Sequence, residues 1–286
     1  MSNPFELSNL FSAKGLVAVV TGGGSGLGLM VSAALEHNGA TVYIIGRRKE
    51  ALEKAAKEHA KYGKIIPIQG DVTSRESLLS AVSAIESQSG YINLLVNNSG
   101  VHGELIKYPP VPSTDIKDFQ KMLWETTPED FQQVFNVNVT AVYFTTVAFL
   151  ELLDKGNKHG GIPGVSSQVI TMSSISGFKR DGKPSGMAYT TSKAAVTHLG
   201  KILANLLKDF HIRSNVVAPG FYPSEMSAVL GTPGSIPRDV IPAQRWGDEQ
   251  DMGGLFLFLA TRAGAYTNGN VSVTDGGRIG VLPSTY

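Results

Sequence analysis

Short apolar runs rich in β-branched residues recur along the chain at 17–21, 42–45, 65–69, 94–97, 169–172, 213–218 and 271–274. Several carry almost no polar alternation, the signature of strands covered on both faces. Between them lie longer stretches at helical spacing: 26–38, 49–62, 74–89, 128–153, 189–210 and 248–261. Strand and helix alternating at this interval predict a parallel sheet with helices on both sides. Right-handed crossovers make such a sheet doubly wound. The pattern therefore predicts one α/β domain over residues 1–286, with a sheet of about seven strands and an N-terminal extension at 1–14. No internal repeat, low-complexity tract or linker divides it.

Three stretches resist the pattern. Residues 102–126 form a long insert containing Tyr108-Pro109-Pro110-Val111-Pro112. Residues 155–167 are rich in Gly, Ser and Lys, and 219–243 carry Pro219, Pro223, Pro233, Pro237 and Pro242. Loops this long in a compact domain serve function or decorate the surface. They are the candidate substrate-facing elements, 219–243 above all.

Composition narrows the function. The 25 Lys and Arg balance 24 Asp and Glu, a formal charge of +1, so the basic stripe of a nucleic-acid binder is not expected. No uninterrupted apolar run reaches the ~18 residues of a spanning helix, so no membrane association is expected. Residues 1–15 lack the basic start and apolar middle of a secretory signal. With no cysteine, disulfides, thiolate metal sites and cysteine nucleophiles are excluded. A cytoplasmic enzyme or binding protein is expected. The histidines lack metal-ligand spacing, so no metal is expected, and the hydrolase elbow G-x-S-x-G is missing. Residues 177–183 imitate a phosphate loop, but Pro184 stands where Ser or Thr is required, which rejects that reading.

The first predicted strand ends in Thr21-Gly22-Gly23-Gly24-Ser25-Gly26-Leu27-Gly28, and a helix follows. Glycines there let the backbone turn tightly and approach a phosphate, which the helix N-terminus then attracts. Gly28 would let the helix pack against the sheet. The context of strand, turn and helix points to nucleotide binding. The spacing is T-G-x-x-x-G-x-G rather than G-x-G-x-x-G. With it, the chain resembles the short-chain dehydrogenase/reductase family over roughly residues 15–277. The resemblance implies a doubly wound Rossmann-type fold and a nicotinamide dinucleotide held by Gly22, Gly24, Ser25, Gly26, Leu27 and Gly28.

The second strand ends in Gly46-Arg47-Arg48. An NAD enzyme of this fold places a carboxylate there for the ribose hydroxyls. Here Gly46 takes that place, and Arg47 and Arg48 suit a 2′-phosphate, which predicts NADP(H) over NAD(H). The competing reading, two solvated arginines at a helix start, is disfavoured by the helix dipole. The resemblance lays Asp71 and Val72 along the adenine. The residues alone also allow a helix start around Thr73, with Glu76 three positions on. Asn97-Asn98-Ser99-Gly100 stands where the family usually has N-N-A-G, so Asn98 and Gly100 would line the cofactor, and the Ser99 hydroxyl needs a partner. Pro219, Gly220, Tyr222 and Ser224 match the family's nicotinamide end, Ser224 replacing a common Thr.

Tyr189 and Lys193, four apart, share one helix face. A phenol titrates near 10, and a neighbouring ammonium lowers that value, so such a tyrosine can give a proton to a ketone or take one from an alcohol. Ser174, after the fifth strand, matches the family's catalytic serine, whose hydroxyl steadies developing charge on the substrate oxygen. Ser173 is the alternative, because 15 residues from Ser174 to Tyr189 imply a small insertion at 178–187. Asn138 resembles the asparagine that holds a water linking Lys193 to solvent, with Asn136 as its competitor. Arg245-Trp246-Gly247, Asp251 and Asp275-Gly276-Gly277 resemble the family's structural C-terminal pattern. Lys179, Arg180 and Lys183 form a basic cluster that is either a solvated loop or a greeting for an acidic or carrier-bound substrate.

The expected activity is NADPH-dependent reduction of a ketone or aldehyde, reversible as an alcohol dehydrogenase. A catalytically silent cofactor sensor of the same fold is the alternative, but such proteins generally lose the tyrosine or lysine. A lyase or epimerase is a third. Val101, His102, Tyr108, Met187, Phe221 and Met226 predict a mostly apolar pocket for a small-molecule substrate. Helices at 131–153 and 188–207 resemble those of the family's dimer contact, which implies a homodimer or homotetramer.

Overall fold

A computed structural model describes residues 3–103, 115–180, 185–228 and 235–286. Seven parallel strands join in one sheet in the order β3-β2-β1-β4-β5-β6-β7. They are β1 (Val17–Thr21), β2 (Thr41–Gly46), β3 (Ile65–Gln69), β4 (Leu94–Asn97), β5 (Gln168–Met172), β6 (Arg213–Pro219) and β7 (Val271–Thr274). Each differs from its sequence expectation by at most a residue at an end. The cause is visible in β1, whose five residues are all buried. Ala18 and Val20 point into one apolar layer with Val31, Leu35, Met252 and Phe256. Val17 and Val19 point into the opposite layer with Ile85, Phe149, Leu152 and Leu203. A strand read on both faces has no polar side to show.

The helices are α1 (Leu7–Leu10), α2 (Gly26–His37), α3 (Lys49–His59), α4 (Arg75–Ser89), α5 (Ile116–Trp124), α6 (Pro128–Phe135), α7 (Ala141–His159), α8 (Met187–Leu206) and α9 (Glu249–Ala260). The first apolar layer belongs to α2, α3 and α9, the second to α4, α7 and α8. The strand order reverses between β1 and β4, so the carboxyl ends diverge there and leave a crevice, the usual ligand position in such sheets.

Three expectations are corrected. The stretch 128–153 is not one regular helix: a π-helical turn, Asn136–Thr140, separates α6 from α7. Helix α7 continues to His159, so 155–159 is helical rather than loop; the apolar anchors Phe149, Leu152 and Leu153 hold it to the sheet past Leu153. Residues 102–126 contain α5, with Ile116, Phe119 and Leu123 at helical spacing; Tyr108 to Pro112 lie outside the described residues. Pro128–His159 also form one helical run containing an 18-residue window of mean hydropathy 1.3, apolar enough by length and composition to cross a membrane, although no spanning helix was expected. Half of that window is buried within the protein, as a core helix requires.

Two charged residues inside the fold escaped the pattern. Glu36 of α2 is fully buried, and its carboxylate accepts the backbone N–H groups of Lys61, Tyr62 and Lys64 at 2.9, 2.7 and 3.1 Å, tying α3's exit to α2. Arg213 opens β6 with its guanidinium donating to Gln168, Ser166, Gly264 and Thr267. Burial pulls its pKa down to about 10.

Candidate active site

At the carboxyl end of β1 the chain turns through glycines because the space is already taken. A Cβ on Gly28 would lie 2.3 Å from the Gly22 carbonyl oxygen and 2.5 Å from Asn98 Nδ2. Asn98 Nδ2 donates to the carbonyls of Thr21 and Gly22 at 2.9 and 3.2 Å, and Thr21 Oγ1 accepts the N–H groups of Asn98 and Ser99. Gly28 thus packs the start of α2 against the turn and, contrary to its expected place among the cofactor-holding residues, does not line the crevice, whereas Asn98 braces the turn from β4. Ser25 precedes α2 without a side-chain cap, unlike Ser74 before α4, Thr127 before α6 and Asp248 before α9. The first N–H groups of α2 therefore meet no side-chain acceptor from Ser25.

A cavity of about 700 Å³ runs along this edge. Gly22, Gly24, Ser25, Gly26 and Leu27 line its middle, and Arg47, Arg48, Asp71 and Val72 one end. Asn98, Gly100, Ser174, Tyr189, Lys193, Pro219, Gly220, Tyr222 and Ser224 line the remainder. The sequence separations are large, yet every one of these positions follows a strand's carboxyl end or lies in the first two turns of a helix.

Several side chains have partners that local reading did not supply. Arg48 forms a two-pronged pair with Glu225, at 2.9 and 3.0 Å, so it ties the end of β2 to the substrate-side loop instead of standing free beside Arg47. Both partners are exposed, and such a pair contributes little energy. Asp71 accepts from Thr73 N–H and Oγ1 at 2.9 and 2.7 Å, bonds that hold its carboxyl below the usual range, with Arg47 adding to the effect. The cap of α4 is Ser74, which accepts from Ser77 N–H, and not Thr73, whose hydroxyl Asp71 has taken. Tyr222 turns its hydroxyl to Thr274, and its carbonyl accepts from Ser227 Oγ, so that backbone is occupied. Ser224 Oγ pairs with Ser227 Oγ at 3.0 Å.

Ser174 and Ser173 divide cleanly. Ser173 Oγ donates to the Lys193 carbonyl and pairs with Thr197 Oγ1, so it is a buried brace under α8. Ser174 lines the cavity with Tyr189, and its side chain is the group that opposes the rise of the Tyr189 pKa. Asn138 sits in the π-helical turn, 1 % exposed, while Asn136 is exposed. Asn138 Nδ2 donates to the Val101 carbonyl and to Ser192 Oγ, and Oδ1 accepts Val101 N–H, all near 3 Å. It lies one layer behind the cavity wall and clamps the backbone that follows Gly100.

Lys193 is 5 % exposed and donates from Nζ to the Met172 carbonyl at 2.9 Å. Burial drops its pKa from 10.5 to about 8. Tyr189 moves the other way from the sequence expectation. Its burial raises the phenol above 10, and only the Ser174 side chain opposes this. The ammonium sits 5.7 Å from the Tyr189 ring centroid and is directed to Met172, so it does not offset the desolvation of the phenolate.

Sequence reasoning missed Arg278 and the contact that His102, an expected pocket residue, makes. Arg278 lines the cavity, lies 4.6 Å from the Phe221 ring centroid and donates to the Val240 carbonyl. His102 stacks on Tyr189, centroids 4.5 Å apart and planes 19° apart; burial holds its imidazole below the ordinary histidine value. Nothing local marks either role. Of the expected pocket residues, Val101, His102, Phe221 and Met226 line this cavity, Met187 lines a second one, and Tyr108 is outside the described residues. Lys179 lines the cavity also, whereas Lys183 is outside the described residues. Arg245 grips Asp251, which shares a capping box with Asp248 at the start of α9, a structural use.

Comparison with known proteins agrees with this geometry. A family model described as short chain dehydrogenase matches residues 16–233. The chain is 50 % identical over 288 aligned residues to the short-chain dehydrogenase/reductase PhomF of Diaporthe leptostromiformis, covering 98 % of this chain and 96 % of that one. It is 34 % identical to the rhamnolipids biosynthesis 3-oxoacyl-[acyl-carrier-protein] reductase of Pseudomonas aeruginosa, covering 93 % and 97 %. Among solved structures it is similar to the Pseudomonas aeruginosa RhlG/NADP active-site complex, with TM-score 0.79, 32 % identity, and 94 % and 98 % of the two chains covered.

Proposed function

The chain belongs to the short-chain dehydrogenase/reductase family, and from that premise we propose that this oxidoreductase is an NADPH-dependent reductase of a ketone or aldehyde, reversible as an alcohol dehydrogenase. The observation that carries the reading is the meeting of Ser174, Tyr189 and Lys193 in one cavity with the uncapped glycine turn. The crevice fits a dinucleotide. Its glycines leave room for backbone to approach phosphate, and α2 offers unpaired N–H groups to it. Asp71 and Val72 line the cavity after β3 and would flank an adenine. Arg47 lines it beside Gly46 and would pair with a 2′-phosphate, which supports NADP(H) over NAD(H). The NADP complex of a structural relative supports the same choice.

NADPH, when bound, supplies the hydride. The Ser174 hydroxyl, on the same cavity wall as the Tyr189 phenol, would orient the substrate oxygen. Tyr189 then gives it a proton. Its raised pKa keeps the phenol protonated at neutral pH, which suits the reducing direction. Lys193, its ammonium 5.7 Å from the Tyr189 ring centroid, would hold the ribose hydroxyls of the cofactor and return a proton to Tyr189. Asn138 clamps the Gly100–Val101 backbone beneath, at the place assigned to a water relay. Exposed apolar residues on α7 and α8, among them Tyr143, Val147, Ile202 and Leu206, support a homodimer or homotetramer built on these helices.

The test is titration with NADPH and NADH, followed by a ketone panel with wild type and Tyr189→Phe. NADPH binding at least ~10-fold tighter, a difference of about 1.4 kcal/mol, is expected. Turnover in the variant should fall by about 10²–10⁴ or more. Equal affinities would reject the cofactor choice. Tight NADPH binding without turnover of any ketone would favour the silent sensor.

A further inference from the structure

His102, Ser185 and Tyr189 each line two cavities. The second, of about 480 Å³, is walled by α5, the 126–128 turn, α6 and the first turn of α8. Its apolar lining includes Leu123, Phe131, Val134 and Met187. A volume of this size lies within the ~300–1,000 Å³ of small-molecule sites. It meets the first cavity at the tyrosine that faces the substrate oxygen.

Two observations connect it to a ligand. The glycine turn, Arg47, Asp71 and Val72 mark most of the first cavity as dinucleotide wall, which leaves the region around Ser174, Tyr189, Val101, Phe221 and Met226 for a substrate. A substrate longer than that region must extend beyond it. At the junction Tyr189 itself lines both cavities, so a substrate whose carbonyl meets its phenol has the second cavity beside it.

We propose that the second cavity is the binding site for the apolar body of the substrate, whose carbonyl meets Ser174 and Tyr189 in the first. The proposal rests on the reductase reading and deepens it: the substrate class is a ketone on an extended alkyl or aromatic framework, not a short polar keto acid or keto sugar. The lining supports this, because most of its exposed surface is apolar, with Leu123, Phe131, Val134 and Met187 beside the polar Thr126, Thr127, Asp130 and Gln132.

The test uses a dimethylamino-naphthyl ketone, whose emission shifts to shorter wavelength in apolar surroundings. It is titrated into NADP⁺-loaded wild type, Leu123→Trp and Thr126→Trp. The two substitutions enter the cavity from different elements and touch no group placed at the reacting atoms. Wild type should bind the probe saturably with a blue shift. Each tryptophan should weaken binding by about tenfold or more, equivalent to ~1.4 kcal/mol. The KM for the naphthyl ketone should rise in step, with NADPH affinity and turnover of butanedione changed less than about twofold. No saturable binding by wild type, or binding that neither tryptophan weakens, would overturn the proposal. Binding weakened by both tryptophans, with no ketone reduced by wild type, would retain the site and remove the reductase reading. Reduction of both ketones at wild-type KM by both variants would do the reverse.

Discussion

Replacing Lys193 by methionine should abolish turnover and nevertheless stabilise the folded, cofactor-free protein at neutral pH. The amine is buried, and its pKa falls from 10.5 to about 8 because the charged form loses its water. The unfolded chain therefore binds more protons than the folded one between those values, and wild-type stability rises with pH through that window. Below it the penalty is fully present. At about 1.4 kcal/mol per pKa unit, the charge costs the folded state roughly 3 kcal/mol at pH 7, and by the same linkage about 1 kcal/mol at pH 10. Methionine has similar volume and no charge. It also leaves the Met172 carbonyl without the 2.9 Å donor, a loss of ~1–2 kcal/mol. The expected balance is a gain of ~1–2 kcal/mol at pH 7 that vanishes or reverses at pH 10. Urea unfolding of both proteins at the two pH values and one protein concentration measures it. A variant less stable than wild type at pH 7, or a difference that does not shrink by pH 10, would refute the reasoning.

Glu36→Gln should lower stability by ~2–3 kcal/mol, because the amide can still accept from Tyr62 and Lys64 but presents its own N–H₂ to the Lys61 N–H; an unchanged urea midpoint would contradict that account. Gly28→Ala should destabilise the fold and weaken NADPH binding at least ~10-fold, since its Cβ would sit 2.3 Å from the Gly22 carbonyl oxygen. Gly254→Ala, in α9 with open space around it, is the matched control, and calorimetry should show it neutral or stabilised by up to ~1 kcal/mol.

Much of the site was legible because each functional position is tied to a strand's end. The turn after β1, Ser174 after β5 and Pro219 at the end of β6 could be placed once the buried runs were found. Tyr189 and Lys193 share a face by helical geometry alone. Helix α5 was legible in principle, at Ile116, Phe119 and Leu123, but the prolines upstream hid its signal. The continuation of α7 to His159 was hidden by Gly156, whose absent side chain permits close approach to the Ile92 carbonyl. A glycine that reads locally as a breaker serves there as a contact surface.

The sequence by itself determined the extents of the seven strands, the position of the glycine turn and the side chains brought to the sheet's carboxyl edge. These follow from periodic burial and from residue types that leave a local trace. Only the tertiary structure decided which charges meet and how deeply groups are buried. Arg48 is paired across 177 positions with Glu225, Asn138 is turned by a π-helical segment onto Val101, and His102 covers the Tyr189 ring. The direction of the Tyr189 and Lys193 pKa shifts belongs with these. Spacing places an ammonium near a phenol, but desolvation depends on everything packed around both, and that packing is assembled from distant parts of the chain.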